Sequence, residues 1–335
     1  MSFDTLRLGG LKHCAGILLV LLWLIPGSLS AQGLGTEALS SFPLDTQQIA
    51  YADLSQLRDL PNYGEIRLSL FNRQMQTLEE FLKTIGNDPE KDANEVVLGW
   101  RGNSLDPSAM FGMAGGNFDP VAGQTMFNQT QLASIPYSGF TLDTYDSPAD
   151  RDALYFTFLN SGLAAFGRLE DLKALIDVRL GNRPALDSSS QFVNWEAEME
   201  GSAPEWGITT GKAAGKLVAP WFTGSSGKSG DKKNQPIDIS SLLAPVEAVL
   251  YQIDWNGNFT ANISVICHQQ DQAAAMAQLL SMWQESHAAA ALGASPQMAG
   301  FVQGLEIDHE GNRVELQGSG PPNLVNQVLH TSSSP

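Results

Sequence analysis

The stretch Val249–Cys267, VLYQIDWNGNFTANISVIC, decides the fold class. Val249, Tyr251, Ile253 and Trp255 fall on alternate positions, Asn256-Gly257 follows, and Phe259, Ala261, Ile263, Val265 and Cys267 alternate back. Asn-Gly between two alternating runs is the strongest short-range signal for an antiparallel hairpin. An apolar sheet face needs a cover, and the next segment provides one. From Gln270 to Leu292, residues Ala273, Met276, Leu280, Trp283, His287 and Ala291 line one side of a helix. A second hairpin is expected from Phe301–Ile307, a turn at Glu310-Gly311-Asn312, and Val314–Leu316. Pro321–Leu329 reads as a last small helix.

Working back towards the amino terminus, the same grammar repeats. Gln48–Leu54 reads as a strand, and Phe71, Met75, Leu78, Leu82 and Ile85 form a helical stripe that Gly86 and Pro89 stop. Glu95–Trp100 is a strand, and Ala109–Phe118, broken by Gly112, Gly115 and Gly116, reads as a bulged or edge strand. A short helix over Pro120–Leu132 precedes three strands, Tyr137–Tyr145, Ala153–Leu159 and Leu163–Phe166, and a helix over Arg168–Val178. Residues 182–203 form a connector with one helix, Ser190–Met199, before a strand at Trp206–Thr210 and a helix at Ala213–Phe222. The expected class is α+β, with two units of antiparallel sheet carrying helices on one face, as in ferredoxin-like folds. The first domain spans 47–185 after a leader segment at 31–46, and the second spans 204–330. Residues 224–235, GSSGKSGDKKNQ, contain no apolar side chain and are expected to be a flexible insert.

The first thirty residues carry an address. Arg7 and Lys12 precede the uncharged run AGILLVLLWLIP at Ala15–Pro26, and Ser28-Leu29-Ser30 places small residues before Ala31. This is the pattern of a secretory signal peptide over residues 1–30, with cleavage expected after Ser30. The run is twelve residues long, whereas a spanning helix needs roughly twenty. An uncleaved anchor in the inner membrane is the alternative. The expected location is periplasmic or secreted, with a mature domain that is not membrane-embedded. Cys14 precedes the apolar run, so it does not occupy a lipoprotein cleavage site.

Loss of residues 1–30 removes Arg7, Lys12 and Asp4 and moves the net charge from −17 to −18. Such a balance disfavours nucleic acid and anionic surfaces as partners. Cys267 then remains alone, excluding an intrachain disulfide in the mature chain, and its place in the alternating strand makes it an inert buried thiol.

No motif assigns chemistry. Gly227-Lys228-Ser229 lacks the upstream glycine of a phosphate loop, since position 222 is Phe222. His268 and His309 end or follow strands that could be neighbours in a sheet, but no histidine pair has metal-ligand spacing. There is no G-x-S-x-G turn, and Cys267 and His268, consecutive on a strand, point to opposite faces. Trp195, Trp206, Trp221, Trp255 and Trp283 would suit a hydrophobic ligand if they lined one surface. Trp255 and Trp283 already sit on core faces. No catalytic residue, metal ligand or cofactor site is assigned, and the ligand-binding residues stay open.

Several stretches resemble a family of uncharacterised exported bacterial proteins of the cell envelope: Phe42-Pro43 to Asp53-Leu54, Leu78-Glu79-Glu80-Phe81-Leu82, Gly86 to Asp92, and Val96-Val97-Leu98-Gly99. Its first strand reads D-x-x-x-Y-x-D-L, where this chain begins with Gln47, and its helix ends in G-x-D-P-x-x-D. The resemblance implies an envelope location and brings no site residues. Together these readings point to an exported, acidic, non-enzymatic binding or scaffolding protein whose partner is a small molecule or an envelope protein. The alternatives are a periplasmic hydrolase whose site assembles only in three dimensions, and a structural assembly subunit.

Overall fold

The structure, a computed structural model, describes residues 33–102, 109–130, 132–147, 150, 152–223, 243–291, 296–321 and 324. In chain order the first half contains α1 (Leu34–Ser41), β1 (Thr46–Asp53), α2 (Leu54–Leu57), α3 (Tyr63–Leu70), α4 (Arg73–Thr84), α5 (Pro89–Asp92), β2 (Ala93–Arg101) and β3 (Met110–Gly116). It continues with α6 (Pro120–Phe127), β4 (Ser134–Tyr137), β5 (Phe140–Asp143), β6 (Leu154–Asn160), β7 (Leu163–Arg168) and α7 (Leu169–Arg179). The second half contains α8 (Ser190–Met199), β8 (Glu205–Thr210), α9 (Gly211–Thr223), β9 (Val246–Asp254), β10 (Phe259–Cys267), α10 (Gln270–Ala291), α11 (Pro296–Gln303), β11 (Glu306–Glu310) and β12 (Arg313–Gly320).

The architecture is α+β, as expected, but the two anticipated sheets are one. Twelve strands run in the order β11-β12-β10-β9-β8-β1-β2-β3-β7-β6-β5-β4, and every neighbouring pair is antiparallel. Strands β1–β7 occupy one end and β8–β12 the other. The join is β1 against β8, where Tyr51 faces Trp206 and their rings stack at 5.2 Å. Each half thus uses the other to satisfy a strand edge that would otherwise be an open row of donors and acceptors. The described residues from Leu34 onward form a single unit.

Helices lie on both faces, not on one. Alternate residues of a strand point to opposite sides, and the core divides accordingly. Ile49, Val97, Phe111, Trp206 and Leu250 face α1, α7 and α8. Ala52, Val96, Leu98, Phe156 and Phe166 face α2, α3, α4 and α6. Farther along that second face, Val249, Val265 and Cys267 meet Ala214 and Val218 of α9 and Ala273, Met276 and Leu280 of α10. The single-face expectation fails because both strand registers of the central sheet are apolar, the mark of a sheet buried on both sides.

Other differences have local causes. The expected leader segment carries α1, whose Leu34, Ala38 and Leu39 are buried with Phe42. Strand β3 is interior, between β2 and β7. Its glycines admit close neighbours: a Cβ on Gly112 would lie 2.5 Å from the Val97 carbonyl oxygen and 2.7 Å from the Phe166 ring. Tyr137–Tyr145 is not one strand, because Ser138 and Gly139 take positive φ (49° and 88°) and turn β4 into β5. Phe301 lies in α11, so the strand expected at Phe301–Ile307 begins only at Glu306. The expected signal peptide, the expected insert at 224–235 and nearly all of the expected last helix lie outside the described residues.

Candidate functional site

The helix α4 forms where the sequence places it. Asn72 caps it by accepting from the Met75 backbone N–H at 2.9 Å, and Gly86 leaves it at φ 86°. Phe71, Met75, Leu78 and Ile85 are buried against the sheet, each contributing about 1.5–3 kcal/mol by removal from water. Below this helix the sheet surface is stepped. One row of cross-strand partners reads Ala52, Val96, Ala114, Ala164 and Phe158 across β1, β2, β3, β7 and β6. The next row on the same face reads Leu98, Gly112, Phe166 and Phe156, with the Phe166 ring lying over Gly112.

A row of small residues beside a row of large ones leaves a trough that α4 does not fill. The resulting slot is thin, with a cavity volume of about 50 Å³. Its walls are Met75, Leu78 and Leu82 of α4 with Phe118, Phe156 and Phe158, and its floor includes Ala114 and Ala164. The surface is almost wholly apolar. Glu79 is the one ionisable side chain among the described residues that line it.

Glu79 comes from α4 and meets Arg67 of α3 at 2.5 Å. Burial pushes its carboxyl up to about 7 although Arg67 and Lys83 pull the other way. Asn87, also on the wall, holds the loop before α6 by accepting from Asp119 N–H at 2.9 Å. Beyond Phe71 and Val96 a smaller space of about 20 Å³ lies along the same row, lined by Glu205 and Tyr251 at the β1–β8 join. Glu205 is buried and accepts from Trp255 Nε1 at 2.9 Å.

The residues weighed from sequence do not converge here. His268 contacts Glu247 of β9 at 3.6 Å, while His309 lies on β11, beyond β12. His287 packs on Trp283 within α10. The tryptophans divide between faces: Trp195 and Trp206 belong to the α1–α7–α8 side, and Trp255 to the opposite side. Cys267 is fully buried and its thiol is pushed up to about 11 by desolvation. Gly227-Lys228-Ser229 lies outside the described residues. Among the described residues no cluster of His, Cys, Asp or Glu is arranged to hold a metal ion, and no helix is long and apolar enough to cross a membrane.

Sequence reading missed the slot because a cavity is a relation between residues far apart in the chain. Its one trace is alanine at two inward strand positions, Ala114 and Ala164, where larger side chains would fill a core. No protein-family model matches the chain, and no curated protein does. Among solved structures, crystal form I of TP0453 is similar with a TM-score of 0.49 and 13% identity, over 89% of this chain and 98% of that one.

Proposed function

We propose that this is an exported, non-enzymatic binding protein of the bacterial cell envelope that takes a thin apolar ligand into the slot between α4 and the sheet. The observation that carries the reading is the trough itself. A close-packed core leaves few voids, yet here an apolar cavity of about 50 Å³ is left between a well-formed helix and the sheet. The lone carboxyl at the wall supplies no second acid or base, so the site favours holding a molecule over transforming it. The leader supports the export step.

The test is fluorescence enhancement of the uncharged dye N-phenyl-1-naphthylamine by the purified mature chain, with Ala164→Leu and Ala114→Leu as slot-filling variants. The expected result is saturable binding by the wild type and a loss of at least about ten-fold in affinity in each variant, with circular dichroism unchanged. Equal binding by folded variants, or none by the wild type, would contradict the reading.

A further inference from the structure

The row of the sheet that floors the slot does not end at Ala52. Its next cross-strand partner is Glu205 of β8, so the order along one face is Glu205, Ala52, Val96, Ala114, Ala164. Adjacent strands lie about 4.8 Å apart, which sets the Glu205 backbone about 10 Å from that of Val96. The small cavity beside Glu205 and the slot have two wall residues in common, Phe71 and Val96. These two side chains form the partition between an apolar trough and a buried carboxyl.

The surroundings of Glu205 suit a neutral acid. Its side chain is buried, Leu70, Phe71, Val96 and Leu98 line the same cavity, and it accepts from Trp255 Nε1 at 2.9 Å. One uncharged donor replaces little of the hydration that a carboxylate loses on burial. The elements packed around it bring no cation to compensate. Strand β9 presents the Tyr251 phenol, β1 presents Ala50 and Ala52, β2 presents Val96 and Leu98, and α3 presents Leu70 and Phe71. Tyr51, Asp53 and Glu95 alternate with these residues and belong to the other face, where Tyr51 donates to Glu95 at 2.6 Å. Arg67 of α3 stands on the Phe71 ring at 5.7 Å and is paired with Glu79 at 2.5 Å. Burial accordingly pushes the Glu205 carboxyl up to about 7.

Ionisation changes what this place requires. A carboxylate needs more donors than Trp255 supplies, and water is the donor that fits. The cavity of about 20 Å³ has room for it, since one water molecule needs roughly 10–15 Å³. Water drawn there wets the partition and opens the end of the trough to solvent, which weakens the hold on an apolar molecule. We infer that Glu205 is a pH-sensitive latch on the slot: protonated, it keeps the end of the trough dry and the ligand held, and ionised, it draws water behind Phe71 and Val96 and lowers the affinity. The inference rests on the apolar-ligand reading above and adds its regulation. A ligand that prefers the neutral form binds more tightly at low pH and in turn makes Glu205 harder to deprotonate.

The experiment is titration of the mature chain with N-phenyl-1-naphthylamine at pH 6 and pH 8, a range in which the dye stays uncharged, alongside Glu205→Gln. The wild type should bind several-fold more weakly at pH 8, with a limit of about ten-fold. Glu205→Gln, fixed in the neutral form, should bind at both pH values within about two-fold of the wild type at pH 6. The indole N–H resonance of Trp255 in ¹⁵N-labelled wild type gives a reading that does not depend on the variant folding, and it should shift with pH at the midpoint of the affinity change. Equal wild-type affinity at the two pH values, a pH dependence kept by folded Glu205→Gln, or a Trp255 signal that does not titrate would overturn the latch and leave the slot intact. Failure of the dye to bind at either pH would overturn the slot itself.

Discussion

Trp255 donates its indole N–H to Glu205 at 2.9 Å across the β8–β9 pair, and this is the hydrogen bond found for a carboxyl that is otherwise enclosed by the sheet and by Tyr251. Burial outweighs that bond and raises the Glu205 carboxyl from 4.5 to about 7. Between those values the folded chain keeps a proton that the unfolded chain releases. Stability from this group is therefore greatest at low pH and falls as pH rises towards 7. Glu79 acts in the same direction.

Urea unfolding at pH 5 and pH 8 checks this. The wild type should lose stability on going to the higher pH, and Glu205→Gln should remove up to about 3 kcal/mol of that loss. A pH dependence identical in the two proteins would show that Glu205 is not held neutral by the fold.

Gly112 is required by packing and not by backbone conformation. Because an added Cβ would press on the Val97 carbonyl, which cannot swing away, as well as on Phe166, Gly112→Ala should destabilise by about 1–3 kcal/mol. Gly102→Ala, where no heavy atom lies within 4 Å of the added Cβ but φ is 69°, isolates the backbone contribution. A smaller loss at Gly112 than at Gly102 would be inconsistent with the packing account.

Cys267 should be silent to thiol reagents in the folded protein. Its side chain is enclosed by α9 and α10 and its thiol is held protonated by burial. Labelling with 5,5′-dithiobis(2-nitrobenzoate) should follow global unfolding in urea. Rapid stoichiometric labelling in native buffer would mean that this end of the sheet opens.

Leu78 joins stability to binding. It is buried and forms part of the slot wall, so Leu78→Ala should destabilise by about 2–5 kcal/mol while widening the slot. The urea midpoint should drop, and dye binding by the still-folded protein should change. Unaltered affinity at full folding would place the ligand elsewhere.

The local elements were legible in the sequence. The Asn256-Gly257 hairpin, the α4 stripe and α8 over Ser190–Met199 lie where periodicity and turn residues put them. What alternation along one strand cannot convey is which distant strand lies beside it. The β1–β8 pairing links residues about 150 positions apart, and nothing near Tyr51 or Trp206 announces the other, so one sheet was read as two. The same limit hid the candidate site: Ala114 and Ala164 look like weak core positions until they are seen as partners under α4.

Methionine methyl resonances give the most direct test of the slot. With [methyl-¹³C]methionine incorporated, Met75 reports from the slot wall, and Met113 and Met199 report from the opposite face of the sheet. Met113 adjoins Ala114 in the chain but points away from the slot. Titration with dodecanol should move the Met75 methyl signal and leave Met113 and Met199 in place. A Met75 signal that stays fixed while the others move, or that stays fixed at saturating dodecanol, would contradict binding in the slot.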